Sequence, residues 1–423
     1  MSSSDARGCS VTGATPSALA AYERALAAYQ SWRCGVEPAL ATALQEAPDF
    51  VMAHALQAYL LLCSRDPRKV RLARQVVARA ASLPANPRER LHLAAIAAAL
   101  GDDYALAKTR FGEVLQQHPL DVLALQVAHM FDHVTGDLAR MHDRVASVLP
   151  AWSREVPGYH AVLAMHAFSL EESGEYGHAE DVACEALALN PLDARAHHAM
   201  AHVFEMSERA EAGLRWMNAH RDFWGLDTVV ATHGWWHVAL FHLARHRFGD
   251  ALWLYDRRVR AQPSGEIADL IDASALLWRV ELAGGDVGPR WGELATAWEP
   301  YIDDGFCSFN DLHAMLAFVG ARDWRRALQL ERALVKSQAR PTRHGESTRQ
   351  AGLPSCRALM AFGRGNDSLA ITLLASLPEL AHRLGGSHAQ RDVLNLTLRR
   401  AVERVRSPAR GRHVPTLPMD AQN

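Results

Sequence analysis

GYHAVLAMHAFSLEESGEYGHAEDVACEALALNP, residues 158–191, reads as two helices and a stop. Apolar residues recur at helical spacing up to a Gly-x-Tyr turn at Gly174 and Tyr176, where glycine's tolerance of positive φ ends the first helix. A second helix follows with Ala179, Ala183 and Ala186 on one face, small enough for close contact with a neighbour, and Asn190-Pro191 ends it. This is the pattern of the tetratricopeptide repeat, a helical hairpin of about thirty-four residues closed by proline.

Other stretches fit the same template. Ala107, Phe111 and Pro119 close one unit; Trp235, Ala239, Ala251, Tyr255 and Pro263 mark another; Trp324 and Ala327 belong to a third. A hydrophobic fraction of 49% with only 7% aromatics, and few runs rich in Val, Ile and Thr, favours helix over sheet throughout. Hairpins of this kind cannot bury their apolar faces alone, so they stack. The expected fold is all-α: one superhelical solenoid of degenerate tetratricopeptide-like hairpins over residues 15–405, first helices lining the concave side. Residues 1–14 and 406–423 are expected to be disordered, the latter for their prolines and lack of packing residues.

Forty-five basic against forty-seven acidic residues leave no charge bias of the kind nucleic-acid binding needs. The six cysteines lie far apart without Cys-x-x-Cys spacing, which argues against a zinc ribbon or a disulfide scaffold. No apolar stretch has the length of a signal peptide's core or of a membrane span. The expectation is a cytoplasmic protein without nucleic-acid or membrane partners.

Candidate chemistry is concentrated in the middle. ARAHHAMAHVFEM (194–206) and ATHGWWHVALFHL (231–243) are helical, and each sets two histidines four residues apart on one face. With Ala201 at the close-packing position, His198, His202 and Glu205 turn towards the groove; with Trp235 in the core, His233 and Trp236 turn inward and His237 lies beside them. Neighbouring helix axes stand about 8–10 Å apart, near enough for imidazoles from both to share one ion. Asp272, Asn310, Asp311 and His313 are placed to complete or orient such a site. His197, His220, His242 and His246 read as surface or packing residues.

In LGGSHAQRDVLNLTLRRAV, from Leu384, Ser387 and Gln390 form a capping box. Arg391 opposes the helix dipole in the first turn, which points to an anionic partner, a ligand or its own neighbour Asp392. No phosphate-cradling loop, dinucleotide fingerprint or nucleophile elbow occurs.

AHHAMAHVFEM (196–206), HGWWHVALF (233–241), FNDLHAMLAF (309–318) and GGSHAQRDV (385–393) together resemble the tetratricopeptide repeat protein 38 family, over roughly Ala20 to Val405. The resemblance implies a single superhelix of degenerate hairpins, without naming an activity. Its motif residues fall on His198, His202, Glu205, His233, Trp236, His237, Asn310, Asp311, His313, Gln390, Arg391 and Asp392.

The favoured reading is a solenoid whose concave pocket binds a small ligand or metal. Trp236 would form a wall, and Asn310, Asp311, His313, Gln390, Arg391 and Asp392 would be ligand contacts. The alternatives are a protein- or peptide-binding scaffold, and a metal-dependent hydrolase or lyase. In the last, His198, His202 and His233 hold a divalent metal, a cofactor the geometry permits without requiring it, while Glu205 and His237 do acid–base work. The repeat register is testable by itself. Ala239→Leu should destabilise the stack by about 1–3 kcal/mol through overpacking, read as a lower midpoint in denaturant; an unchanged midpoint would mean that Ala239 is not a contact position.

Overall fold

The structure is a computed structural model and describes residues 3–406. It is built almost wholly of antiparallel helical hairpins in chain order, from Pro16–Gln30 with Val36–Glu46 to Leu353–Gly363 with Asp367–Leu374, and a closing helix, Val393–Arg406. The hairpins repeat one local solution. A residue in the left-handed region ends the first helix: Gly136, Gly174 and Gly365, and at matching turns Asp102, Glu208, His246 and Arg322. At three of these turns an aspartate or asparagine then caps the second helix, Asp103, Asp323 and Asn366 accepting backbone N–H bonds. The alanines of the repeat template, Ala107, Ala179, Ala239, Ala251 and Ala327, are all fully buried.

The array closes on itself. Its opening half lays successive segments on the closing half: Cys34 N donates to Asp227 O (2.9 Å), Val229 N to Trp32 O (3.0 Å), and Asn310 Nδ2 to Arg65 O (2.9 Å). Farther along, Arg343 donates to Thr135 O (2.9 Å) and His344 N to Asp102 (2.8 Å). At Gly136, with φ 70°, a Cβ would collide with the His382 carbonyl, so only glycine permits this approach. First helices are consequently buried on both sides, and His129, His166, Glu171, Glu172, His202, His237, Asp272 and His313 all lie inside. The concave side is therefore an inner wall with cavities rather than an open groove.

The expectation of a disordered N-terminus is corrected. Ser3–Ser4 and Ser10–Val11 pair as a small antiparallel hairpin. Arg7 is buried against Glu23 (2.9 Å), Val11 enters the core, and Thr12 N donates to Glu89 (2.8 Å). Charged and backbone partners hold this segment although it is poor in apolar residues. The expected tail over 406–423 lies outside the described residues apart from Arg406, which ends the last helix. Among the described residues no helix is long and apolar enough to cross a membrane.

Gly136→Ala tests the closure. It should destabilise the protein by about 1–3 kcal/mol, since the collision is with backbone and the φ is left-handed. Cleavage by a protease near residues 134–136 or 380–386 should become faster. Unchanged stability and cleavage would mean that the two halves do not meet there.

Candidate functional site

Asp193 starts the helix Ala194–Met206 by accepting from Arg195 N and Ala196 N, and it also receives His160 Nδ1 at 2.6 Å. That cap sets the rotation that brings His198 and His202 inward. In the next hairpin, Gly234 lets Trp224 lie directly on the helix Ala231–Ala244, because a Cβ there would collide with the indole. The helix is thereby seated with His233 and His237 towards the same space.

Four imidazoles converge there. One ring nitrogen each from His198, His202, His233 and His237 lies within 4.8 Å of the others. His198 Nε2 is 3.0 Å from His202 Nε2 and 3.1 Å from His233 Nε2. Nitrogens bound tetrahedrally to one ion at 2.0–2.1 Å stand about 3.3–3.4 Å apart, so these two contacts are within a few tenths of an ångström of ligand spacing.

Carboxylates determine which nitrogens carry protons. His233 Nδ1 donates to both oxygens of Asp272 (3.0 and 2.9 Å), and His237 Nδ1 donates to Glu205 (2.9 Å). As neutral rings these two then present bare lone pairs at Nε2, and His237 Nε2 is buried without a partner among the described residues. His198 Nε2 has one proton at most to share between two neighbours. His202 Nδ1 is likewise buried and unpartnered, with Glu171 Oε2 at 3.8 Å, beyond hydrogen-bond length but in the same orientation. Carboxylate behind imidazole, with the far nitrogen facing inward, is how proteins orient metal-binding histidines.

Burial pushes His198, His202 and His237 well below the ordinary histidine range, and nearby imidazoles push the same way. Burial pushes Glu205 up to about 7 despite Arg279 and His233, and raises Glu171 strongly, helped by Glu172 and Glu205. The rings are held by aromatic contacts: Trp236 stacks on His233 (centroids 5.2 Å apart, 11° between planes), Phe168 stacks on His198 (5.5 Å), and Trp32 meets His198 edge-on (5.2 Å).

A cavity of about 330 Å³ opens beside the cluster, reached by His198, His202, His233, Asp272 and Gln390. A larger one of about 780 Å³ lies on the Glu205 side, lined also by Arg279, Arg391 and Asp392. Several expectations change. Trp236 is fully buried beneath His233 and offers no face to a cavity, while Trp235 is half-buried under Arg258 (4.8 Å), because the helix is rotated by the Gly234–Trp224 contact. Glu205 sits behind His237 on Nδ1, the position of an orienting group rather than of a base on ligand water, and His237 joins the other imidazoles.

Asn310, Asp311 and His313 do not reach the cluster. Asn310 holds the Arg65 turn, His313 Nδ1 donates to Phe309 O (2.7 Å), and Asp311 borders a small separate cleft beside Pro67. All three belong to the closure seam. Gln390 completes the capping box with Ser387 and touches the smaller cavity. Arg391 pairs with buried Glu172 (3.4 Å) and with the Gly386 carbonyl rather than with Asp392, which lies near Arg399 (3.8 Å). Glu171, Trp32, Phe168 and Arg195 escaped the sequence reading. Glu171 was within its reach, since it stands thirty-four residues before Glu205, at the same repeat position.

No family model matches the chain. Among solved structures it aligns with yeast Tom70 at 11% identity, over 89% of this chain and 86% of that one, with a TM-score of 0.43. It aligns with the TPR domain of P58(IPK) at 15% identity, over 76% and 90%, with a TM-score of 0.22. Neither alignment bears on the histidine site.

The buried imidazoles make stability depend on pH. His129, His133, His197 and His313 are also pushed down by burial, His133 and His313 to about 3 and His197 to about 4. Unfolded, each protonates near the ordinary value of about 6.5, so stability present above that pH is lost as pH falls from there towards the folded values, by up to about 1.4 kcal/mol per pH unit for each. Glu205 and Glu171, raised in the folded state, act oppositely, but the histidines outnumber them. The unfolding temperature of metal-free protein should fall steadily from pH 6.5 to 5. A flat profile would mean that the imidazoles are solvated or charged in the fold.

Proposed function

We propose that this chain is a metal-binding protein: a closed tetratricopeptide-like ring that holds one divalent transition ion through His198, His202, His233 and His237, beside a cavity for a small molecule. The observation that carries this reading is the unpartnered, buried Nε2 of His237, whose Nδ1 is committed to Glu205. A lone pair so placed is a desolvated acceptor that costs about 1–3 kcal/mol, and here it faces three further imidazoles whose ring nitrogens lie within 4.8 Å. Imidazole donors suit zinc, copper, iron and nickel. A cation at the four nitrogens would also stabilise Glu205 and Glu171 as carboxylates, removing the electrostatic cost of burying them.

The resemblance to the tetratricopeptide repeat protein 38 family supports the same reading, because three of its four motifs bring residues to this cluster and its cavity. A peptide-binding scaffold is less well supported, since the inner wall offers a bounded cavity of about 330 Å³ in place of a continuous groove. Catalysis, as a metal-dependent hydrolase or lyase, is a second reading. The ion would supply Lewis-acid activation of a bound water or ligand oxygen. Glu205, pushed up to about 7, would store a proton behind His237.

Elemental analysis of untagged protein, purified directly and after reconstitution with zinc, cobalt, iron or manganese, tests the reading. About one ion per chain is expected for wild type, with loss from His202→Ala and His237→Ala. Asp272→Asn should weaken affinity about 10–100-fold through the orienting bond. His220→Ala should keep full occupancy, because that ring packs on Trp216 (4.2 Å), away from the cluster. Absence of stoichiometric metal under every condition, together with early melting of His202→Ala, would return the cluster to a structural role.

A further inference from the structure

The smaller cavity carries two guanidinium groups that lie over aromatic rings but meet no carboxylate among the described residues. Arg195, one turn before His198, is 6% exposed, and its Nε is buried without a partner. Among the described residues no hydrogen bond or ion pair reaches its guanidinium, which lies 4.6 Å from the Trp32 ring centroid. Arg65, half-buried, holds a left-handed turn (φ 57°) between Val51–Leu62 and Pro67–Ala81, and among the described residues its guanidinium makes no hydrogen bond or ion pair, lying 5.3 Å from the Phe309 ring centroid. Both line the cavity that His198 and His233 enter.

Other buried arginines of this chain have partners, Arg279 through backbone carbonyls and others through carboxylates. Arg88 meets Asp121 at 2.6 Å, Arg144 meets Asp132 at 2.7 Å and Arg260 meets Glu293 at 2.6 Å. A buried charge is tolerated when it is paired and hydrogen-bonded, and one without a partner opposes folding. The carboxylates on the cavity wall do not supply the partner: Asp272 is engaged with His233, and neither it nor Asp269 forms an ion pair with Arg195 or Arg65. The wall also has an apolar part that includes Met165, Phe168 and Ile271.

We infer that the cavity takes a small organic anion, its carboxylate or phosphate held by Arg195 and Arg65, its apolar body lying on Phe168, Met165 and Ile271 and reaching the imidazole cluster. This rests on the metal reading in one respect only, that the same cavity is the open side of the metal centre. Arginine supplies a planar fork that matches either oxyanion, and its burial strengthens the attraction.

The test uses untagged full-length protein, wild type and the variants Arg195→Met, Arg195→Lys and Arg65→Met. Cobalt binding is followed by visible absorption, and titration calorimetry, with and without cobalt, measures benzoate, hexanoate and phenyl phosphate against neutral benzamide. At least one anion should bind wild type tenfold or more tightly than benzamide; benzoate against phenyl phosphate tells which oxyanion is preferred. Arg195→Met should lose tenfold or more of that affinity while keeping its cobalt spectrum, and it should melt no earlier than wild type, because it removes an unpaired buried charge. Arg195→Lys should retain part of the affinity, and Arg65→Met should weaken it. Anion binding without any cobalt spectrum would support this inference and overturn the metal reading. The inference is overturned if no anion outbinds benzamide, if Arg195→Met binds anions like wild type, or if Arg195→Met melts early and loses cobalt.

Discussion

A helix buried on both sides has no water to solvate its polar side chains, and that constraint governs the inner wall of this ring. Once the early turns dock on the late hairpins, every imidazole, carboxylate and guanidinium on the first helices needs a partner within the protein. Most have one: His92 meets Asp121 at 2.9 Å, and His129 Nε2 lies 3.1 Å from Ser169 Oγ. Exceptions occur along the chain, and several of them meet at one place. His202, His237 and Glu171 carry unpartnered atoms at the cluster, and Arg195 does so at the cavity beside it. Unpartnered atoms also occur at His54, His133 and His313 among others, so it is their convergence with four imidazoles that sets this place apart.

The charge pattern of the cluster follows from the same burial. Burial disfavours the charged forms of His198, His202 and His237, so these rings offer lone pairs, and it disfavours the charged forms of Glu205 and Glu171 behind them as well. Each half of the arrangement is costly by itself, and a divalent ion at the centre relieves both. Glu171 and Glu205 occupy equivalent positions in successive repeats, and each faces an imidazole of the next first helix. The repeat has thus set a carboxylate behind an imidazole twice, at hydrogen-bond length only for Glu205, with Asp272 serving His233 from the opposite neighbour.

Closure also decides what the ring can hold. An open solenoid presents an extended surface to a partner, whereas here the segments around residues 31–34, 65–68 and 134–136 fill that surface and leave bounded cavities. Helices rather than loops carry the cluster, which gives its side chains the rigid support that a ligand site of defined geometry needs.

Helix periodicity, the alanine contact positions and the turn chemistry are local properties, and local reasoning on residues 158–191 yields the hairpin repeat and the all-α class directly. The same periodicity brings His198, His202, His233 and His237 to one stretch of wall, because face and spacing within adjacent hairpins are set by the chain itself. What lies on the far side of the wall is not a local property. Whether the array closes, and so whether Asn310 and His313 reach the cluster or the seam, depends on small rotations between hairpins accumulated over many repeats. The inward turn of Trp236 rests on a glycine–indole contact, and the pairing of Arg391 with Glu172 joins residues 219 positions apart. Neither is written in a spacing. The sequence by itself determined the repeat and the histidine face; only the tertiary structure decided that this face is dehydrated, since burial is a property of the closed ring and not of any one hairpin.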